Sequence, residues 1–323
     1  MASPGSAGPV LVTGASGFVG RALVERLVAE GVPTVAAVRT APTLHGGTRQ
    51  VTAPDLGPNA DWRAALDGAE CVVHLAARVH VMRDDAADPL SEFRRVNVDG
   101  TLALARQAAT AGARRFVLVS SVKVNGEATA PGRPFTADNT PAPMDAYGVS
   151  KWEAEQALLE LSATSGMEVV IVRPVLVYGP GVRANFRALM AWLARGWPLP
   201  LGAIHNRRSL LALHNLVDLL ITCLDHPAAA GQTFLASDGE DLSTTELLHR
   251  LGAALGKPAR LLPVSATWLA GVAGLLGRAA VAQRLCGSLQ VDIAKTRELL
   301  GWTPPVTVDA ALRNTAHHFL AHR

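Results

Sequence analysis

Along the first half of the chain, short apolar runs alternate with longer segments of helical period. "PVLVT" (9–13), "PTVAAVR" (33–39), "TRQVTAPDL" (48–56), "ECVVHLAA" (70–77), "RRFVLVSS" (114–121) and "MEVVIVRP" (167–174) read as six strands. Between them, "GASGFVGRALVERLVAEG" opens on a glycine turn and runs as a helix to Gly31. "ADWRAALDG" is a short helix, 90–112 is helical through an interior Gly100, and a long helix starts within "MDAYGVSKWEAEQALLEL" (144–161). No hairpin signal lies between the strands. Apolar strands separated by helices predict an α/β fold, a doubly wound parallel sheet covered on both faces. After residue 174, proline and glycine punctuate "RPVLVYGPGVRANF" and "GWPLPLG", and the helices shorten. This predicts a domain over 8–176, with later strands near 209–236 returning to it. A smaller interleaved α/β substrate lobe is expected over 177–206 and 237–323.

Composition supports a folded chain. Hydrophobic residues are 49% and charged residues 18% of 323, which a sizeable core needs and disorder does not fit. The net charge of +3 comes from 26 Arg and 4 Lys against 27 acids, scattered rather than striped, so no nucleic-acid partner is expected. Cys71, Cys223 and Cys286 are distant and odd in number, without zinc spacing, which fits a reducing, cytoplasmic setting. The start "MASPGSAGP" lacks the pattern of a secretion signal. The most apolar window, "WLAGVAGLLG" (268–277), is too short to span a bilayer, so no stable membrane insertion is expected; a buried or interfacial helix is. His74 and His80 have no acid or cysteine at ligand spacing, so no metal site is expected.

"TGASGFVG" places Gly14, Gly17 and Gly20 between the first strand and the first helix. A helix N-terminus there offers unpaired amides and a positive dipole end to a pyrophosphate. Gly14 permits the turn, Gly17 lets the backbone approach a ligand, and Gly20 lets the helix pack closely. The candidate dinucleotide cradle is therefore Gly14, Ser16, Gly17, Phe18, Val19 and Gly20. The second strand ends in Arg39, where a ribose-binding carboxylate would select NAD(H); a guanidinium suits a 2'-phosphate, which favours NADP(H) and keeps NAD(H) open. Tyr147 and Lys151 stand one helical turn apart. An ammonium beside a phenol favours the phenolate, so Lys151 is expected to lower the Tyr147 pKa and make it a proton carrier at neutral pH.

The glycine spacing, "HLAA" (74–77), Asn97, "SS" (120–121) and "YGVSK" together resemble the short-chain dehydrogenase/reductase superfamily in its extended, nucleotide-sugar branch. The resemblance covers nearly the whole chain and implies a Rossmann domain. It implies Ser121, Tyr147 and Lys151 as the catalytic set, with Lys151 also on the cofactor ribose. It adds Asp55 and Leu56 at the adenine, Leu75, Ala76 and Ala77 beside the cofactor, Asn97 as support from the next helix, and Pro174 at the start of a lid over the nicotinamide. Sugar 4,6-dehydratases of this group carry Asp-Glu after the catalytic hydroxyl; Val122 and Lys123 stand there, so water elimination lacks its acid and base. Redox at C4 remains. "SSVKVNGE" is similar to reductases of UDP-4-keto-6-deoxy-N-acetylhexosamines in O-antigen and lipopolysaccharide pathways. That reading is the first expectation, an NAD-dependent UDP-hexose or UDP-N-acetylhexosamine 4-epimerase the second, and a non-catalytic dinucleotide sensor a third of another class.

For a UDP-sugar, the resemblance places Asn185 and Arg208 at the diphosphate, with Arg284 near a second arginine position and Leu201, in "PLPLG", beside the uracil. Lys123 and Asn125 are the remaining expected substrate contacts. Arginine suits phosphate because its planar fork binds two oxygens. A homodimer through helices near 98–112 and 147–163 is expected from the resemblance alone.

Overall fold

The computed structural model describes residues 8–39, 48–79, 88–275, 277 and 279–322. Seven strands form the large sheet: β1 Val10–Thr13, β2 Thr34–Val38, β3 Thr48–Thr52, β4 Cys71–His74, β5 Arg115–Val119, β6 Glu168–Pro174 and β9 Thr233–Ala236. Their order is β3-β2-β1-β4-β5-β6-β9, and every pairing is parallel. The order reverses between β1 and β4, and in such sheets a crevice opens beyond the strand ends at that point. The six expected strands all form. β1 and β4 are buried at every position, as sheets covered on both faces require.

Helices cover both faces: α1 Phe18–Ala29, α2 Arg63–Leu66, α3 Pro89–Arg94, α4 Gly100–Thr110, α5 Ala146–Ser165 and α7 Leu213–Asp225. One apolar core packs α1 and α7 on one face through Leu23, Leu27, Leu216 and Leu220. The other packs α4 and α5 through Leu104, Ala108 and Leu158. The segment read as one helix over 90–112 is not uniform. A π-turn, Arg95–Asp99, joins α3 to α4, and Gly100 sits where a Cβ would lie 2.9 Å from the Gly57 amide. α5 starts at the Asp145 cap, whose carboxylate accepts from the Gly148 amide at 2.7 Å, and stops at left-handed Gly166.

The second lobe holds a small sheet, β10-β8-β7, of β7 Leu176–Tyr178, β8 Arg208–Ala212 and β10 Asp241–Leu242. With it go α6 Ala184–Arg195, α8 Thr244–Ala254, α9 Ala266–Leu275, α10 Ala279–Cys286 and α12 Val308–Ala321, while α11 Ala294–Leu300 packs against β9 of the large sheet. One expectation needs correction here. Of the stretch 209–236, only β9 returns to the large sheet; β8 pairs in parallel with β7 and antiparallel with β10.

Candidate active site

The crevice at the strand ends is an open cleft of about 760 Å³. Its floor is the glycine turn. Gly14 has φ +65°, and a Cβ there would lie 2.9 Å from the Ala76 amide. A Cβ on Gly20 would run into the Gly14 carbonyl oxygen, so α1 reaches the turn only because that position is bare. Gly17 caps α1 without any side-chain cap, and Gly17, Phe18, Val19 and Gly20 line the cleft. The first-turn amides are thus left for a ligand, and these residues fit a dinucleotide diphosphate.

Thr13, at the end of β1, organises the neighbouring loop. Its Oγ1 accepts from the amides of Leu75 (3.2 Å) and Ala76 (3.3 Å) and lies 2.7 Å from His74 Nδ1. Having accepted twice, the hydroxyl donates to Nδ1, so Nε2–H donates to Thr101 Oγ1 at 3.0 Å. Burial, with the Lys151 charge nearby, pushes His74 down to about 3, so the ring is neutral and structural. His80 lies outside the described residues. Among the described residues no group of His, Cys, Asp and Glu could hold a metal ion.

The opposite wall is β5, the turn after it, and the start of α5. Ser121 caps a 3-10 turn at Val122–Val124 through the Lys123 amide (3.2 Å) and hydrogen-bonds Tyr147; both residues line the cleft. Lys151, one turn on, is 2% exposed. The expected acidification of Tyr147 is reversed in this state. Burial and the Asp145 carboxylate push Tyr147 up to about 12, against the Ser121 hydrogen bond. Burial pulls Lys151 down to about 8, with Glu155 acting the other way. Desolvation of both groups by burial outweighs their helix-face proximity.

Lys123 also lines the cleft, at the position where a dehydratase carries Glu. Its ammonium bridges Asp145, the cap of α5, and Glu127 at 3.0 Å. Glu127 stands four positions on, at helical spacing, and was legible as a partner; Asp145, 22 positions away, was not.

Other expected residues divide cleanly. Leu75, Ala77, Pro174, Asn185, Arg208 and Arg284 line the cleft with those above. Arg208 is held by the Gly287 carbonyl at 3.0 Å, and burial lowers its pKa. Arg39 and Asp55 are exposed, and neither they nor Leu56 is among the lining residues; Leu56 packs on the core under α4. Ser16 is exposed, its carbonyl accepting from Arg21. The neighbouring Arg207 is exposed and is not among the lining residues.

One expected supporting residue and two expected contacts are engaged within the protein. Asn97, on the π-turn, accepts from the Arg78 amide (2.8 Å) and donates to the Arg78 carbonyl and Ser150 Oγ (both 3.0 Å). It ties the loop after β4 to α5 and has no donor left for a ligand. Asn125 is buried, accepting from Arg173 (3.1 Å) and donating to the Thr136 carbonyl (3.0 Å). Leu201 is buried in the second lobe's core.

The sequence matches the model of the NAD dependent epimerase/dehydratase family over residues 10–236. A UDP-glucose 4-epimerase of Vibrio cholerae is 48% identical over 96% of this chain and 95% of its own. The N-acetyl-alpha-D-glucosaminyl-diphospho-ditrans,octacis-undecaprenol 4-epimerase of Escherichia coli O157:H7 is 28% identical over 97% of this chain and 96% of its own. Among solved structures, MoeE5 in complex with UDP-glucose and NAD superposes with TM-score 0.76 at 25% identity, covering 98% of this chain and 99% of that one.

Proposed function

The chain belongs to the NAD dependent epimerase/dehydratase family, the extended short-chain dehydrogenases/reductases, and from that premise we propose that it epimerises the C4 carbon of a UDP-hexose or UDP-N-acetylhexosamine. The observation that carries the reading is the cleft itself. Ser121-bonded Tyr147 faces, across one opening, the bare amides of the glycine turn, and the buried Lys151 stands one helical turn behind it on α5. The 48% relative favours epimerisation over a net reduction.

Gly14, Gly17, Phe18, Val19 and Gly20 would hold the dinucleotide diphosphate, with Leu75, Ala77 and Pro174 beside it. The nicotinamide, when bound, supplies reversible hydride transfer. Tyr147 Oη takes the proton from the C4 hydroxyl and returns it. Ser121 Oγ holds the C4 oxygen within reach of that phenol. Lys151 stabilises the phenolate, and its charge acts strongly because the ammonium is itself buried. Arg208, Arg284 and Asn185 hold the diphosphate of the sugar nucleotide. Val122 and Lys123 leave no carboxylate at the position dehydration uses.

The test is incubation of the purified protein with UDP-N-acetylglucosamine or UDP-glucose, with and without added NAD⁺, followed by proton NMR of the anomeric signals. Appearance of the galacto-configured partner supports epimerisation. Silence toward both sugars under both conditions overturns it. A second reading, NADPH-dependent reduction of a UDP-4-keto-6-deoxy-N-acetylhexosamine, is favoured by Arg39 standing without an acid at the end of β2. Consumption of NADPH on a 4-keto substrate, without inversion of either hexose, would decide for it.

A further inference from the structure

α9, "ATWLAGVAGL", is the most apolar stretch of the chain, yet it buries no residue. A helix apolar on most of its faces belongs in a core, in a membrane, or against a partner. Here only its base is anchored: Ala266 and Leu269 of α9, with Leu285 and Cys286 of α10, pack against the second lobe's core. The rest projects. Leu275 is 90% and Trp268 62% exposed, and Leu262 before α9 and Val281 of α10 are exposed as well.

Charge says what covers it. Between Glu246 and Asp292 the sequence contains no Asp or Glu, but it contains Arg250, Lys257, Arg260, Arg278 and Arg284. Arg250 is neutralised by Glu240 and Asp309. Arg260 and Arg284 are exposed, and Lys257 donates only to the Ala194 carbonyl. An apolar helix bearing an exposed Trp, set in an acid-free, arginine-bearing segment, is complementary to an anionic lipid surface. There, Trp and Leu enter the acyl boundary and each nearby cation adds to the attraction. A second copy of this chain would bring the same positive segment against itself around any two-fold axis through the hairpin. No helix among the described residues is long and apolar enough to cross a membrane, so the contact is peripheral.

We propose that the α9–α10 hairpin docks this protein on the surface of an anionic bilayer. Arg284 of α10 lines the cleft, so the docked face and the cleft mouth lie side by side. The proposal does not depend on the C4 chemistry.

It is tested by co-sedimentation of the full chain with vesicles of phosphatidylcholine and phosphatidylglycerol (7:3) against phosphatidylcholine alone. Binding is expected to the anionic vesicles, to fall steeply between low and high salt, and to be weak on the neutral ones. The double variant Trp268→Glu/Leu275→Glu is expected to weaken partitioning by about 100-fold, the combined loss of two buried apolar side chains. Its thermal midpoint and its dinucleotide binding should be unchanged. Charge reversal at Arg260→Glu, away from the apolar tip, is expected to weaken binding and flatten the salt dependence. The proposal is overturned if the parent chain stays in the supernatant with anionic vesicles, or if both variants bind as it does. A switch from dimer to monomer in the double variant, with no vesicle binding by the parent chain, would overturn it in favour of a self-association face.

Discussion

Two buried cations stand close together at the C-terminal end of the large sheet, and they are treated in opposite ways. Arg173 of β6 is fully engaged: its guanidinium grips both oxygens of Glu155 (Nε to Oε1 3.0 Å and to Oε2 3.2 Å) and donates to Asn125. Glu155 in turn accepts from Ser120, so the whole set is satisfied and dry. Lys151, one turn earlier on α5 than Glu155, is equally buried and has neither an ion pair nor a hydrogen bond from its ammonium among the described residues. A satisfied buried charge network specifies structure. An unsatisfied one is a stored penalty, and such penalties collect where a ligand will complete them. The first region fixes the end of β6 and the strand end carrying Ser120 and Ser121; the second, on the proposed reading, is completed by the dinucleotide.

That contrast can be broken in a ranked series. Tyr147→Phe removes the proton carrier and leaves the glycine turn intact. Turnover should fall by about 10²–10⁴-fold with dinucleotide affinity retained, as steady-state rates and fluorescence titration would show. Arg173→Met strands Glu155 in the core and should destabilise by about 3–5 kcal/mol in urea unfolding, whereas Arg173→Met/Glu155→Leu, which removes both charges, should recover much of that loss.

Lys151→Met should do the reverse of Arg173→Met, raising stability while turnover collapses. Folded Lys151 loses its proton near pH 8, whereas an unfolded lysine holds it to about 10.4. Between those values the unfolded chain binds more protons, so this group's contribution to stability rises with pH across that window. Below pH 8 the buried ammonium opposes folding in full. The variant should therefore be about 1–3 kcal/mol more stable at pH 7, and the gain should shrink above pH 8.

The smallest effect concerns Lys123. Its ammonium neutralises Asp145, whose carboxylate raises the Tyr147 pKa. The other charged groups around this end of α5 are Glu127, Arg78 over the Phe93 ring that edges Tyr147, the Arg94–Glu153 and Arg95–Glu92 pairs, and Lys151. Lys123→Met leaves Asp145 unscreened, so the pH at which turnover rises should move up by about one unit. Adding Asp145→Asn should move it back, since Asn still caps α5.

The sheet was legible because its strands are buried on both faces and so appear as unbroken apolar runs; Val10–Thr13 and Cys71–His74 need no partner to be recognised. The glycine turn was legible because only glycine serves at 14 and 20, and Tyr147–Lys151 because helical spacing alone joins them. What failed was everything set by contacts distant in sequence. Asn125 is a polar residue in the expected place, but Arg173, 48 positions away, claims its side chain. The sign of the Tyr147 shift failed for the same reason: spacing shows a neighbouring charge, and only the fold shows how little water reaches the pair.

The account rests on Lys151 being completed by a bound dinucleotide that then acidifies Tyr147. With only Tyr147 and Tyr178 in the chain, and burial beside Asp238 pushing Tyr178 still higher, ¹³Cζ-tyrosine NMR titration reads Tyr147 directly, with Tyr147→Phe to assign it. The Tyr147 signal should titrate near pH 12 in the free protein and move to markedly lower pH when NAD⁺ is bound. An unchanged titration with the dinucleotide bound would contradict the account.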